Sequence, residues 1–190
     1  MTDVVYHASP RSHLRVIMSS ISTHGQSYVY ACLDPDMAAV FLSRYGGDLT
    51  CQVLRCEGLP CIVERYESAW EEGYKNRTGS LYSLPAQTFA PSVTTWNEEV
   101  VSTEQVPVYE ETHVPDVEAF LLDLASQRRL WIARFPERVP CLPADESDYA
   151  KKIANFIRAG NRLEKMARTV LDIHRPDLRK QVESVLGFRI

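Results

Sequence analysis

Tyr28-Val-Tyr-Ala-Cys-Leu-Asp-Pro-Asp-Met-Ala-Ala-Val-Phe41 decides how this chain is read. Tyr28, Val29 and Tyr30 are aromatic or β-branched and open the stretch as a strand. Asp34 is placed to cap a helix, Pro35 suits its first position, and Asp36 adds negative charge to the first turn, where backbone N–H groups lack partners. Met37, Val40 and Phe41 follow at helical spacing, and the pair Gly46-Gly47 ends a helix expected over Asp34–Arg44. A strand end, a sharp turn and a short helix bring two aromatic residues, Tyr30 and Phe41, near one crevice. Taken without its neighbours, the stretch is a βα unit whose rings fill a core.

On the N-terminal side, Val4-Val-Tyr-His7 reads as a short strand that Ala8-Ser-Pro-Arg-Ser12 breaks. His13–Ile21 is weakly periodic through Leu14, Ile17, Met18 and Ile21 and predicts a helix, and Thr23-His-Gly-Gln26 a turn. On the C-terminal side, strands are expected at Leu49–Leu54, Cys61–Tyr66, Ser80–Leu84, Glu98–Ser102 and Gln105–Tyr109, with a loop or short helix over Glu67–Gly79. Short strands with few helices between them argue against a doubly wound parallel sheet. The expectation is an α+β fold on a mixed or antiparallel sheet over residues 1–112. From Pro115 the period turns helical. Val117, Phe120, Leu121, Leu124, Trp131 and Phe135 share one helix face, and Tyr149, Ile153, Phe156, Ile157, Leu163, Met166, Val170 and Leu171 share a second, with Gly160-Asn161 placed to interrupt it. A third helix runs from Pro176 toward Gly187. Residues 113–190 are thus expected to be a helical extension that covers one side of the sheet or forms an interface between copies of the chain.

With 190 residues, 45% of them hydrophobic, the chain has enough apolar content for a packed core. No apolar run approaches the roughly 20 residues that span a membrane. Met1-Thr-Asp-Val-Val5 lacks the pattern of a signal peptide, so a cytoplasmic protein is expected. Five cysteines are too few for a disulfide scaffold. The even gaps between Cys51, Cys56 and Cys61 are not a zinc pattern either, so buried reduced thiols and no metal are expected. Residues 1–112 carry seven basic and fourteen acidic side chains, and residues 113–190 fourteen basic and eleven acidic, which divides the net charge of −4 unevenly. Lys151, Arg158, Arg162 and Lys165 fall on one helix face, read as a solvated face in a chain too acidic overall for a dedicated nucleic-acid binder.

Three separated stretches line up in order: Tyr6-His7-Ala8-Ser9 at a strand end, Tyr30 with Phe41, and Trp96-Asn-Glu98-Glu99-Val-Val-Ser102 opening a late strand. This order resembles the ADP-ribosyltransferase superfamily, in its His-Tyr-Glu branch of diphtheria-type toxins and poly-ADP-ribose polymerases. His7-Ala8-Ser9 stands where that branch often has His-Gly-Ser/Thr. Tyr30-Ala-Cys…Ala39-Val-Phe41 is similar to its Tyr-Phe-Ala…Ala-Asn-Tyr segment, and Asn97-Glu-Glu-Val-Val101 to its Asn-Glu-Tyr-Ile-Val strand. The resemblance implies a split sheet and cleavage of the nicotinamide–ribose bond of NAD, bound as a substrate. Glu98 or Glu99 would stabilise the ribosyl oxocarbenium ion, and on a strand only one of them can face the cleft. His7 would bond the ribose or adenosine side, the Ala8 backbone and Ser9 the nicotinamide amide, Tyr30 and Phe41 would stack on the ring, and Arg11 and Arg15 would meet the pyrophosphate.

Residues 1–112 hold too few basic side chains for the arginine set of the related RNA 2′-phosphotransferases, and the Arg-first pattern of arginine-modifying relatives is absent. Nothing in the chain selects an acceptor. The alternative to an ADP-ribosyltransferase or NAD glycohydrolase is a module on the same fold that binds NAD, ADP-ribose or a protein without chemistry. An unrelated α+β interaction protein is the third reading.

Overall fold

The computed structural model describes residues 3–21, 26–44, 49–94, 96–160 and 163–190. In chain order the elements are strands β1 (Val4–Ser9), β2 (Val16–Ile17), β3 (Ser20–Ile21) and β4 (Ser27–Cys32), then helix α1 (Pro35–Ala39). Strands β5 (Cys51–Cys56) and β6 (Leu59–Glu64) precede helix α2 (Ala69–Tyr74). Five strands follow: β7 (Gly79–Pro85), β8 (Ala90–Pro91), β9 (Glu99–Ser102), β10 (Val106–Pro107) and β11 (Glu110–Val114). The chain closes with helix α3 (Val117–Ser126), strand β12 (Trp131–Ala133) and helices α4 (Ser147–Ala159), α5 (Glu164–Thr169) and α6 (Arg179–Leu186). The fold is α+β. By compactness it divides into two units, one within Met1–Arg44 and Tyr74–Arg129, the other within Tyr45–Gly73 and Leu130–Ile190. The expected division at residue 112 follows neither. The β5–β6 hairpin groups with the C-terminal helices because β12 adds to it in parallel, Trp131 to Ala133 against Cys61 to Val63.

The first unit is built on an antiparallel sheet in the order β11-β7-β1-β4-β9-β8, with β3 on β4. β1 pairs with β7 along its whole length, Val4↔Pro85 to Ser9↔Ser80. β4 pairs with β9 from Val29↔Ser102 to Cys32↔Glu99. Between β1 and β4 there is a single bridge, Tyr6↔Cys32, so the sheet is split at its centre. Cross-strand partners share a face. Val5, Val29, Ala31, Tyr82, Leu84 and Val100 accordingly form one apolar cluster, which Ile17 and Val106 of the small β2–β10 ladder join. That ladder corrects the helix expected over His13–Ile21. Ile17 and Val16 are β-branched and gain strand partners in Val106 and Pro107 that helical spacing does not reveal. The expected Thr23–Gln26 turn and the Gly46-Gly47 stop lie largely outside the described residues.

The helix after β4 starts as read: the Asp34 carboxylate accepts the Asp36 N–H at 2.9 Å and Pro35 takes the first turn. It is shorter than read, ending at Ala39 and passing into a single tight turn over Val40–Leu42. The helix expected to run from Val117 to Phe135 stops at Ser126, and Arg128 takes a left-handed φ of 59°. Trp131-Ile-Ala133, aromatic and β-branched, then goes to the sheet.

In the second unit α4 buries Tyr149, Ala150, Ile153, Ala154 and Ile157, and Gly160 closes it at a φ of 60°. The stripe is interrupted at Gly160, as its sequence allows, and Lys151 and Arg158 on α4 are separated from Lys165 on α5, with Arg162 outside the described residues. One expectation about the cysteines is overturned. Cys56 and Cys141 are joined in a disulfide across 85 residues of sequence, while Cys32, Cys51 and Cys61 are buried thiols. Burial pushes the Cys61 thiol up to about 12.

An ion cluster built on the buried Arg65, Glu146 and Arg175 completes this unit. Arg175 donates to both carboxylate oxygens of Glu146 and to Asp177, and Arg65 lies 3.3 Å from Asp148. The guanidinium of Arg65 also lies 4.4 Å above the Tyr149 ring.

Candidate functional site

The single bridge between β1 and β4 is where His7 and Tyr30 meet. Past the Tyr6↔Cys32 bridge, no further register pair joins the two strands among the described residues. His7 lies just beyond the bridge, and its Nδ1 sits 2.7 Å from the carbonyl oxygen of Tyr30. A carbonyl only accepts, so Nδ1 carries the proton and Nε2 is left as an acceptor. Burial pulls the His7 pKa below the ordinary imidazole value, against the upward pull of the Tyr30 carbonyl. The ring is therefore neutral at pH 7 and offers a lone pair at Nε2, which suits the O–H of a sugar hydroxyl.

The face of each side chain follows from the ladder. Cys32↔Glu99 and Tyr30↔Val101 place Glu99 and Tyr30 on one face of the sheet. His7 pairs with Tyr82 and belongs with Val5 on the other. Glu98 precedes the strand in a turn closed by the Glu99 N–H donating to the Trp96 carbonyl at 3.2 Å. Both glutamates are half-buried. The sheet thus brings His7, Tyr30 and Glu99 to three neighbouring strands, with only Tyr30 and Glu99 on a shared face.

The aromatic residues are engaged. Tyr30 meets Tyr28 edge-to-face at 5.9 Å, and Phe41 meets Trp96 edge-to-face at 5.5 Å. The Phe41–Trp96 contact ties the turn after α1 to the residues that lead into Glu98 and Glu99. A bidentate Arg129–Asp36 pair at 2.6 and 2.9 Å holds α1 from the far side of α3.

Ala8 lies in regular strand and is not among the residues with positive φ, so a side chain in place of glycine is unstrained there. The Ser9 hydroxyl is buried and accepts the Arg11 N–H at 3.1 Å, a turn cap rather than a free group. Gly79, opposite, is packed so closely that a Cβ would lie 2.8 Å from the Ser9 carbonyl oxygen. The Arg11 and Arg15 side chains are exposed, and among the described residues neither guanidinium has an ion-pair partner.

Two site-adjacent residues escape a reading of the sequence. Tyr82 and Glu111 come from β7 and β11 and reach the loop after β1 only because those strands pair, Tyr82 opposite Glu111. Alternation in Ser80-Leu-Tyr82 shows that two polar groups share a face; nothing in the sequence shows which loop they meet. Among the described residues no group of three or more His, Cys, Asp or Glu side chains could hold a metal ion, and no helix is long and apolar enough to cross a membrane. No family model matches the chain, and no curated protein or solved structure matches it.

Proposed function

We propose that this chain binds NAD at the β1–β4 split and cleaves its nicotinamide–ribose bond, as an ADP-ribosyltransferase or NAD glycohydrolase. The observation that supports this reading most is the split itself, with a neutral His7 bonded through Nδ1 to the Tyr30 carbonyl and Glu99 two residues along the next strand pair. In this mechanism the N-glycosidic bond breaks and its electron pair leaves with the nicotinamide nitrogen. The ribose is left as an oxocarbenium ion. A carboxylate of the Glu98-Glu99 pair stabilises that charge and holds the ribose hydroxyl, a contribution realised in the transition state rather than in the bound substrate. His7 Nε2, on the other face of the sheet, accepts a hydrogen bond from a hydroxyl on the adenosine side of the ligand. Tyr30 and Phe41 flank the nicotinamide. An acceptor hydroxyl or water then attacks the ribose carbon and loses its proton.

The test is nicotinamide release from NAD by the wild type beside Glu98→Gln and Glu99→Gln. One of the two variants should lose about 100-fold or more in turnover while keeping its affinity for NAD. Equal turnover in all three proteins would overturn the reading. A wild type that binds ADP-ribose but releases no nicotinamide would replace it with the non-catalytic binding module.

A further inference from the structure

The loop that leaves β1, between Ser9 and Val16, is held by polar groups that the proposed chemistry does not use. The Tyr82 hydroxyl, on a fully buried side chain, donates to the Arg11 carbonyl at 2.7 Å and accepts the Leu14 N–H at 3.3 Å. The Glu111 carboxylate accepts the His13 N–H at 3.0 Å on both oxygens and the buried Ser80 hydroxyl at 2.6 Å. His13 itself sits at a left-handed φ of 61°, a conformation uncommon outside glycine though histidine adopts it more often than most side chains. The Val108 N–H closes the far end on the Arg15 carbonyl at 2.9 Å.

Three anchors therefore fix the backbone of a short loop, and each takes a main-chain group. The carboxylate of Glu111 is occupied by the loop's backbone and by Ser80, and among the described residues the two arginines of that loop have no ion-pair partner. Hydrogen bonds from Ser80 and the His13 N–H hold the Glu111 carboxyl below its usual value, which keeps it charged. A loop that presents cations on a rigid backbone loses little entropy when it binds an anion.

We propose that Tyr82 and Glu111 are positioning residues that fix the Arg11–Leu14 backbone so that Arg11 binds the pyrophosphate of a dinucleotide seated at the β1–β4 split. This rests on the NAD reading above and adds a specificity to it: the clamp acts on ligands that carry the pyrophosphate and not on nicotinamide alone. The experiment is calorimetric titration of ADP-ribose and, separately, of nicotinamide into the wild type, Tyr82→Phe, Glu111→Gln, Arg11→Ala and Arg11→Lys, with thermal unfolding of each protein alongside. Tyr82→Phe, Glu111→Gln and Arg11→Ala should each weaken ADP-ribose by about tenfold, the loss of one charge-assisted contact, with nicotinamide affinity unchanged and part of the loss recovered in Arg11→Lys. Equal loss for both ligands would mean a general structural defect and would overturn the proposal. Wild-type affinity for ADP-ribose in the clamp variants would overturn it too and leave the NAD reading standing. A wild type that binds neither ligand would remove both.

Discussion

At the scale of single residues, His7 carries the clearest pH signature. Its pKa in the fold lies below the ordinary 6.5, chiefly through burial. As pH falls through that value the unfolded chain takes up the proton before the folded one does. Stability is therefore lost from about pH 6.5 downward and levels off once the folded imidazole also protonates. Urea unfolding at stepped pH should show the wild type weakening more steeply than His7→Gln over this window, and parallel curves would refute the assignment. Gly79 gives the second residue-scale prediction. A Cβ there would sit 2.7 Å from Leu42 Cδ2 and 2.8 Å from the Ser9 backbone oxygen. Gly79→Ala should cost about 1–3 kcal/mol by overpacking, read as a lower urea midpoint, and should disturb the end of β1 where Ala8 and Ser9 lie. The sequence singles out His7 by type and place, but not its tautomer. The Tyr30 carbonyl that sets the tautomer is 23 residues away.

At the scale of elements, α1 was legible because its signals are local. Asp34, Pro35 and Asp36 act within one turn, and the cap forms as their chemistry dictates. Asp34→Ala should destabilise the first unit by about 1 kcal/mol, measured by denaturant unfolding. Asp34→Asn, which keeps an acceptor at the cap, should recover most of that. The segment His13–Ile21 misled for the opposite reason. Its apolar spacing fits a weak helix, yet Ile17 earns its burial from Val106, a strand partner far along the chain. Trp131–Ala133 failed the helical reading in the same way, since its partner is the parallel strand β6. Short β segments carry little periodic signal of their own, so their pairing decides them.

At the scale of the whole molecule, the second unit is held by two long-range devices. The Cys56–Cys141 disulfide closes a span of 85 residues. In the chain-entropy model a crosslink over such a span stabilises by about 4–5 kcal/mol. Cys141→Ser should lower the stability of that unit accordingly, seen as a drop in its melting transition that added thiol reductant reproduces in the wild type. The Arg175–Glu146 pair is buried, with Asp177 at its exposed edge, so Arg175→Met should cost about 3 kcal/mol or more by leaving Glu146 without its bidentate partner. The amino-acid sequence by itself determined the α+β class, the strand-turn-helix at Tyr28–Phe41 and its cap, and the set of residues worth testing. Each of these depends on residue types within a few positions of one another. The tertiary structure alone decided where the sheet divides, between β1 and β4, the face on which Glu99 lies, the clamp on Arg11–Leu14, the disulfide and the division into two units. All of these follow from which distant strands pair and in what register. A register shift of one residue turns every side chain to the opposite face, so a pattern read along the chain names candidates and the ladder determines which of them meet.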